Sequence, residues 1–220
     1  MIVRRLPRAI AALVFDMDGT LYTNEAYLRY QETSQVARLA LHLGIPEIEA
    51  TALLRERREA RLAAGLPKTS MANLFLELGR GQGFAIDMAT IVRWRVEELR
   101  PAEWLKPDPR LDGTLAELAS RYRLALLTNN PRAIGAANLV ALGVAGRFEA
   151  VIGLDDSFES KPSPIPFLKT CEILDLPLAA CVSIGDRADV DIEPALALGM
   201  GGILVDGVED VYRLPELIRR

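Results

Sequence analysis

The sequence predicts an α/β protein in which helices cover both faces of a parallel sheet, a three-layer α/β/α core, with an all-helical insert after its first strand. Three observations lead there. Short apolar runs end in polar or glycine residues, helical patterns alternate with the last four of them, and about 110 residues separate the first run from the second.

The strands come first. Ala12 to Phe15, Leu124 to Leu127, Ala150 to Leu154, Cys181 to Ile184 and Gly202 to Val205 are near-continuous apolar runs, as expected of strands buried on both faces. Between them, Pro131 to Leu142 reads as a crossover helix, with proline suited to a first turn and Gly143 to the end. The long first connection is far more than one crossover requires. Helices are expected there from Asn24 to Leu43 and from Glu47 to Ala64, the second bounded by Pro46 and Gly65. Met71, Leu74, Phe75 and Leu78 form a helical stripe after Thr69 and Ser70 as caps, with Gly79 as the stop, and Asp87 precedes Met88, Ile91, Val92 and Leu99 in a fourth. The expected division is a core of residues 1–21 and 104–220 and a helical-bundle cap of residues 22–103, with the proline-rich stretch Pro101 to Pro109 as the return linker.

Composition narrows the function. Half of the 220 residues are hydrophobic and a quarter charged, ordinary for a soluble globular chain. With 26 Lys and Arg against 30 Asp and Glu, no general positive field attracts nucleic acid or an anionic membrane, so a small molecule is the expected partner. Cys171 and Cys181 form no CxxC pair and lie in apolar stretches, which suits reduced thiols in the cytoplasm. The early apolar run Ala9 to Phe15 is too short to span a membrane. His42 is the only histidine and lies in a helical pattern, against a Ser/His/Asp triad or a histidine-rich zinc site. The chemistry falls to carboxylates, hydroxyls and amines.

Those groups gather after strands. Asp16 and Asp18 follow the first strand two apart, so in extended backbone they project to one side, and Gly19 then permits a sharp turn that aims N–H groups beside Asp16. Thr128 and Asn129 in LLTNN, Lys161 in SKPSP, and Asp186, Asp189 and Asp191 in SIGDRADVDI follow other strands. Ligands of open parallel sheets bind outside the carboxyl ends of the strands. Carboxylates converging there repel one another unless a cation is present, and hard oxygen donors beside phosphate favour Mg²⁺.

The order FDMDGT, LLTNN, KPSP, GDRADVDI resembles the four signature motifs of the haloacid dehalogenase superfamily, and the insert stands where its helically capped branch carries one. The resemblance implies a Rossmann-like core and Mg²⁺-dependent hydrolysis of a small phosphomonoester. Asp16 would be the nucleophile that forms an aspartyl-phosphate, and Asp18 the general acid and base. Gly19, Thr128, Asn129 and Lys161 would hold the phosphoryl group. The metal would be bound by Asp16, the Asp18 carbonyl and Asp186, with Asp191 orienting its waters. Asp191 is preferred to Asp189 because DIEPALALG resembles the family's continuation, Asp189 otherwise serving as a helix cap. Relatives that dehalogenate lack the second acid of the first motif, so Asp18 favours phosphate. A phosphomutase of the same superfamily is the alternative, or a noncatalytic phosphate-binding or signalling protein; either a monomer or a homodimer fits.

Other features have plainer readings. Arg55, Arg57, Arg58 and Arg61, interleaved with Glu56 and Glu59, suit a solvated, paired helix face better than a carboxylate site. Lys68, Thr69 and Ser70 are candidate anion contacts at a helix start, though capping alone explains Thr and Ser there. GRGQGF, from Gly79 to Phe84, fits no nucleotide loop and reads as an interhelix connection, and Trp94 and Trp104 read as packing.

Overall fold

The computed structural model describes residues 1–66, 69–82 and 85–218, with Gln82 described by its backbone alone. Lys68, and Gly83 and Phe84 of the GRGQGF segment, lie outside the described residues. In chain order the elements are β1 (Ile2–Arg5), β2 (Ala12–Phe15), α1 (Glu25–Leu43), α2 (Glu47–Ala63), α3 (Met71–Gln82), α4 (Met88–Glu98), α5 (Pro101–Trp104), α6 (Pro109–Ala119), β3 (Arg123–Leu127), α7 (Arg132–Ala141), β4 (Ala150–Ile152), α8 (Leu154–Ser157), α9 (Pro164–Ile173), β5 (Cys181–Gly185), α10 (Glu193–Ala197) and β6 (Gly201–Leu204), followed by single helical turns at Val208–Val211 and Leu214–Leu217. The chain divides into two compact units, one of Met1–Glu25 with Arg100–Arg220 and one of Ala26–Leu99.

The first unit is an α/β layer structure. Among the described residues one sheet runs in the order β1-β6-β5-β2-β3-β4. β2 through β6 pair in parallel, and β1 pairs antiparallel with β6. The expected all-parallel sheet therefore gains an antiparallel edge. Every residue of β1 is exposed, so IVRR carries neither the continuous nor the alternating pattern that marks a strand in sequence. The third expected strand ends at Ile152, as β4, rather than at Leu154. A Cβ on Gly153 would lie 2.1 Å from the Arg132 nitrogen, so a side chain does not fit at this extended residue, and Leu154 opens α8.

All four residues of β2 are buried, which accounts for its unbroken apolar run. On one face Ala12, Val14, Ala125 and Leu127 pack with Phe167 and Cys171 of α9 and with Ala195 of α10. Leu111, Leu115 and Leu118 form the buried stripe of α6, whose first turn is capped by Asp108. The expected linker is thus partly helical: α5 opens on Pro101, and Pro109 starts α6. Pro131 stands just before α7 rather than in its first turn, with its carbonyl accepting from Ile134 and Gly135.

The second unit is helical. Trp94 of α4 meets His42 of α1 at 5.2 Å and Phe75 of α3 at 6.3 Å between ring centroids. Trp94 is buried among helices of its own unit. Three of the four arginines of α2 pair with carboxylates on other helices: Arg57 with Glu77 at 2.7 Å, Arg61 with the same Glu77, and Arg58 with Glu32 at 3.2 Å. Ser70 accepts from the Asn73 N–H at 3.1 Å and Asp87 from the Thr90 N–H at 2.7 Å, so both act as caps. Gly79 does not stop α3, which continues through Gly79 and Gly81 to Gln82. Among the described residues no helix is long and apolar enough to cross a membrane.

Candidate active site

β2 lies between β3 and β5, and the three strands run level: Phe15 is opposite both Leu126 and Ile184. The connections diverge at β2, the arrangement that opens a crevice at the carboxyl ends of neighbouring strands. Asp16 is the next residue, and its N–H donates to the Ile184 carbonyl at 2.8 Å, extending the ladder by one bond. The chain then folds back tightly. The Thr20 and Leu21 N–H groups donate to the Met17 carbonyl and the Gly19 N–H donates to the Tyr22 carbonyl, with Gly19 at φ +83°. A Cβ at Gly19 would lie 2.6 Å from an Asp186 carboxylate oxygen. Glycine there satisfies both the positive φ and the close approach of the acid.

Lys161 joins the two ends of the acid cluster. Its Nζ donates to Asp16 Oδ1 at 2.6 Å, to Asp191 Oδ1 at 2.6 Å and to the Leu127 carbonyl at 2.9 Å. All three ammonium protons are therefore used, in a side chain that is almost fully buried. Burial works against the charge on Lys161, but the Asp16 and Asp191 carboxylates outweigh it and hold the ammonium above its usual range. Burial pushes Asp16 up to about 7, with Asp191 and Asp18 adding to the rise and Lys161 and Arg187 opposing it. Asp186 is raised by burial and by the neighbouring Asp191.

Ligand atoms of Asp16, Asp186 and Asp191 all lie within 4.8 Å of one another. Asp16 Oδ2 and Asp186 Oδ1 are buried with no hydrogen-bond partner among the described residues. Two orphaned carboxylate oxygens beside a third acid are costly without positive charge, and the set is entirely hard oxygen, so a small divalent cation such as Mg²⁺ fits these residues.

The remaining expected residues separate into those that face this cluster and those that support it. Asp18 accepts from the Asn130 side chain at 2.8 Å and from the Tyr22 hydroxyl. Thr128 is buried at the end of β3, and its hydroxyl accepts from the Asn130 N–H at 3.1 Å. Asn129, expected as a phosphoryl donor, gives its Nδ2 to the Lys161 carbonyl at 3.1 Å and accepts the Lys161 N–H on Oδ1 at 2.8 Å, so its amide clamps the lysine's own peptide. Asp191 is buried and accepts from the Arg187 N–H at 3.1 Å, whereas Asp189 is exposed and, among the described residues, caps no helix. Asn130, Tyr22 as a partner of Asp18, and Arg187 were not singled out from sequence as site residues. The signal for Asn130 was the doubled asparagine after β3.

A model of the haloacid dehalogenase-like hydrolases matches residues 10–199. The chain belongs to this family. Among curated haloacid dehalogenase-like relatives, a phosphoglycolate phosphatase of Aquifex aeolicus is 28% identical over 85% of this chain and 80% of its own length. The fructose-1-phosphate phosphatase YqaB of Escherichia coli is 28% identical over 88% of this chain and 95% of its own. Solved structures share the fold, two among them with nearly full coverage. One is a HAD phosphatase from Thermococcus onnurineus, at a TM-score of 0.62 and 23% identity, with 96% of this chain and 98% of that chain covered. The other is a HAD hydrolase of Bacillus subtilis, YfnB, at 0.60 and 16%, with 95% and 100% covered.

Proposed function

We propose that this chain hydrolyses a small phosphomonoester in two steps through an aspartyl-phosphate on Asp16, in the cytoplasm and with Mg²⁺. The observation that carries the reading is the state of the Asp16 carboxylate, fixed on one oxygen by Lys161 and left with the other unpartnered beside Asp186. The names of the two curated relatives support a small phosphorylated metabolite as substrate. In this assignment residues 1–21 and 104–220 are the catalytic core and residues 22–103 the inserted cap.

In the first step an Asp16 oxygen attacks phosphorus, the P–O bond to the leaving alcohol breaks, and Asp18 delivers the proton that the alkoxide takes up. In the second, Asp18 removes a proton from water as it attacks the same phosphorus, which frees Asp16 and inorganic phosphate. The donors on Asp18 hold its carboxyl in one orientation for both transfers. Lys161 keeps Asp16 in place and offsets negative charge as it gathers on the phosphoryl oxygens, and the buried Thr128 and the turn at Gly19 border the same point. Asp16, the Asp18 carbonyl and Asp186 would hold Mg²⁺, with Asp191 alongside, and the metal supplies charge neutralisation to the transferring group.

The test is phosphate release from a panel of small phosphomonoesters with Mg²⁺, for the parent and for Asp16→Asn. The parent turns over at least one ester, and Asp16→Asn lowers kcat by roughly a thousandfold or more. Turnover that survives the substitution rejects Asp16 as nucleophile.

A further inference from the structure

Arg187 follows Asp186 directly and precedes the wide helical turn Ala188–Ile192 that carries Asp191. Its backbone N–H donates to Asp191 Oδ2 at 3.1 Å, and its side-chain Nε stands 4.0 Å from the same oxygen. Among the described residues the guanidinium makes no hydrogen bond, and the side chain is 48% exposed. Burial of part of the group weakens its charge, but Asp16, Asp191, Asp186 and Asp18 all interact with it and together reinforce that charge. Arg187 is thus a second cation of the site, with donors to spare where Lys161 has none.

Asp18 carries its proton when the ester arrives, since it delivers that proton in the first step. Among the described residues the carboxylates of Asp16, Asp186 and Asp191 then stand against Lys161, Arg187 and one divalent metal ion, so a phosphomonoester dianion meets a centre with one net positive charge when Arg187 is present and a neutral one without it. We propose that Arg187 recruits the substrate's phosphate dianion to the metal-loaded site through its open N–H donors, and that its charge simultaneously weakens the hold of the carboxylates on the metal. The planar fork of a guanidinium matches two phosphate oxygens, which an ammonium cannot do. This rests on the phosphatase reading above and adds to it a binding residue that acts on anion and cation in opposite directions.

The experiment compares the parent with Arg187→Gln and Arg187→Lys in two titrations: Mg²⁺ into the metal-free protein, and inorganic phosphate into the Mg²⁺-saturated protein, both by calorimetry. Arg187→Gln should bind Mg²⁺ severalfold more tightly and phosphate roughly tenfold more weakly, with KM raised more than kcat is lowered. Arg187→Lys should restore parental Mg²⁺ affinity and recover phosphate affinity only in part. Loss of both affinities together, the mark of a residue that merely shapes the turn, overturns the proposal, as does a Mg²⁺ affinity that stays unchanged. A parent that binds no phosphate in Mg²⁺ rejects the phosphatase reading together with the recruiting role, whereas parental binding that Arg187→Gln leaves unaltered rejects the role of Arg187 alone.

Discussion

Asp18 takes one hydrogen bond from Asn130 on the neighbouring strand end and another from Tyr22 within its own turn, so each oxygen has its own anchor. A hydrogen bond to a charged group contributes about 1.5–3 kcal/mol. Asn130→Ala should therefore lower kcat by roughly ten- to a hundredfold with little change in Mg²⁺ affinity, as steady-state kinetics and calorimetry would show; an unchanged kcat would mean that Tyr22 alone sets the orientation. Which acids meet at one place was readable from the sequence, because each follows a buried strand and the strands end level. Which of two adjacent asparagines faces Asp18 was not. Asn129 is turned away by the Lys161 peptide, which lies 32 residues further on, and no local pattern records that contact. Arg187 is hidden in the sequence for a similar reason, since an arginine after an acid in GDR looks like a local ion pair until the other carboxylates are brought beside it.

Among the elements, α6 shows how a single side chain fixes a helix start. Asp108 accepts from the Arg110 and Leu111 N–H groups at 2.9 and 3.0 Å and from the Tyr212 hydroxyl at 2.5 Å. Burial alone would raise its carboxyl, but the Tyr212 hydroxyl and the two backbone donors prevail and hold it below the usual carboxylate range. A depressed folded-state value contributes stability above the unfolded-state pKa of about 4, and that stability is lost as pH falls through the folded one. Asp108→Ala should cost about 1 kcal/mol near neutral pH, lowering Tm by about 2–4 °C, and the gap between the two proteins should close at the acid end of a pH series of thermal melts. A gap independent of pH would show that packing rather than the charged cap sets it. The helices with an apolar stripe and a capping residue were legible to within a residue or two. α3 runs past its expected stop because glycine disfavours a helix by only about 1 kcal/mol, which the tertiary packing of Leu74, Phe75 and Leu78 overrides at Gly79 and Gly81. β1 gave no signal because none of its side chains is buried.

For the whole molecule, the acid cluster sets conditions on stability as well as on reaction. Asp16 has its carboxyl raised from 3.8 to about 7. A folded-state value above the unfolded one means that the metal-free native protein binds the extra proton between those limits, so its stability should fall as pH rises from about 4 to about 7. Asp16→Asn removes that proton, and denaturant midpoints of the metal-free variant should fall less across this window than those of the parent; parallel curves would show that Lys161 already compensates the charge. That five strands run parallel follows from their apolar runs and the helical patterns between them, while their order in the sheet and its antiparallel edge do not. The level register of β2, β3 and β5 carries a last consequence, for length rather than chemistry. Because Phe15 is matched to Leu126 and to Ile184, Asp16, Thr128 and Asp186 are placed by counting residues along three parallel rulers. One residue added or deleted within β2 would swing its terminal acid to the opposite face of the sheet. The connection from β2 to β3 has no such rule to keep, since its many residues need only leave one ruler and rejoin the next, and the chain can rebuild that excursion freely while the count along each strand stays fixed.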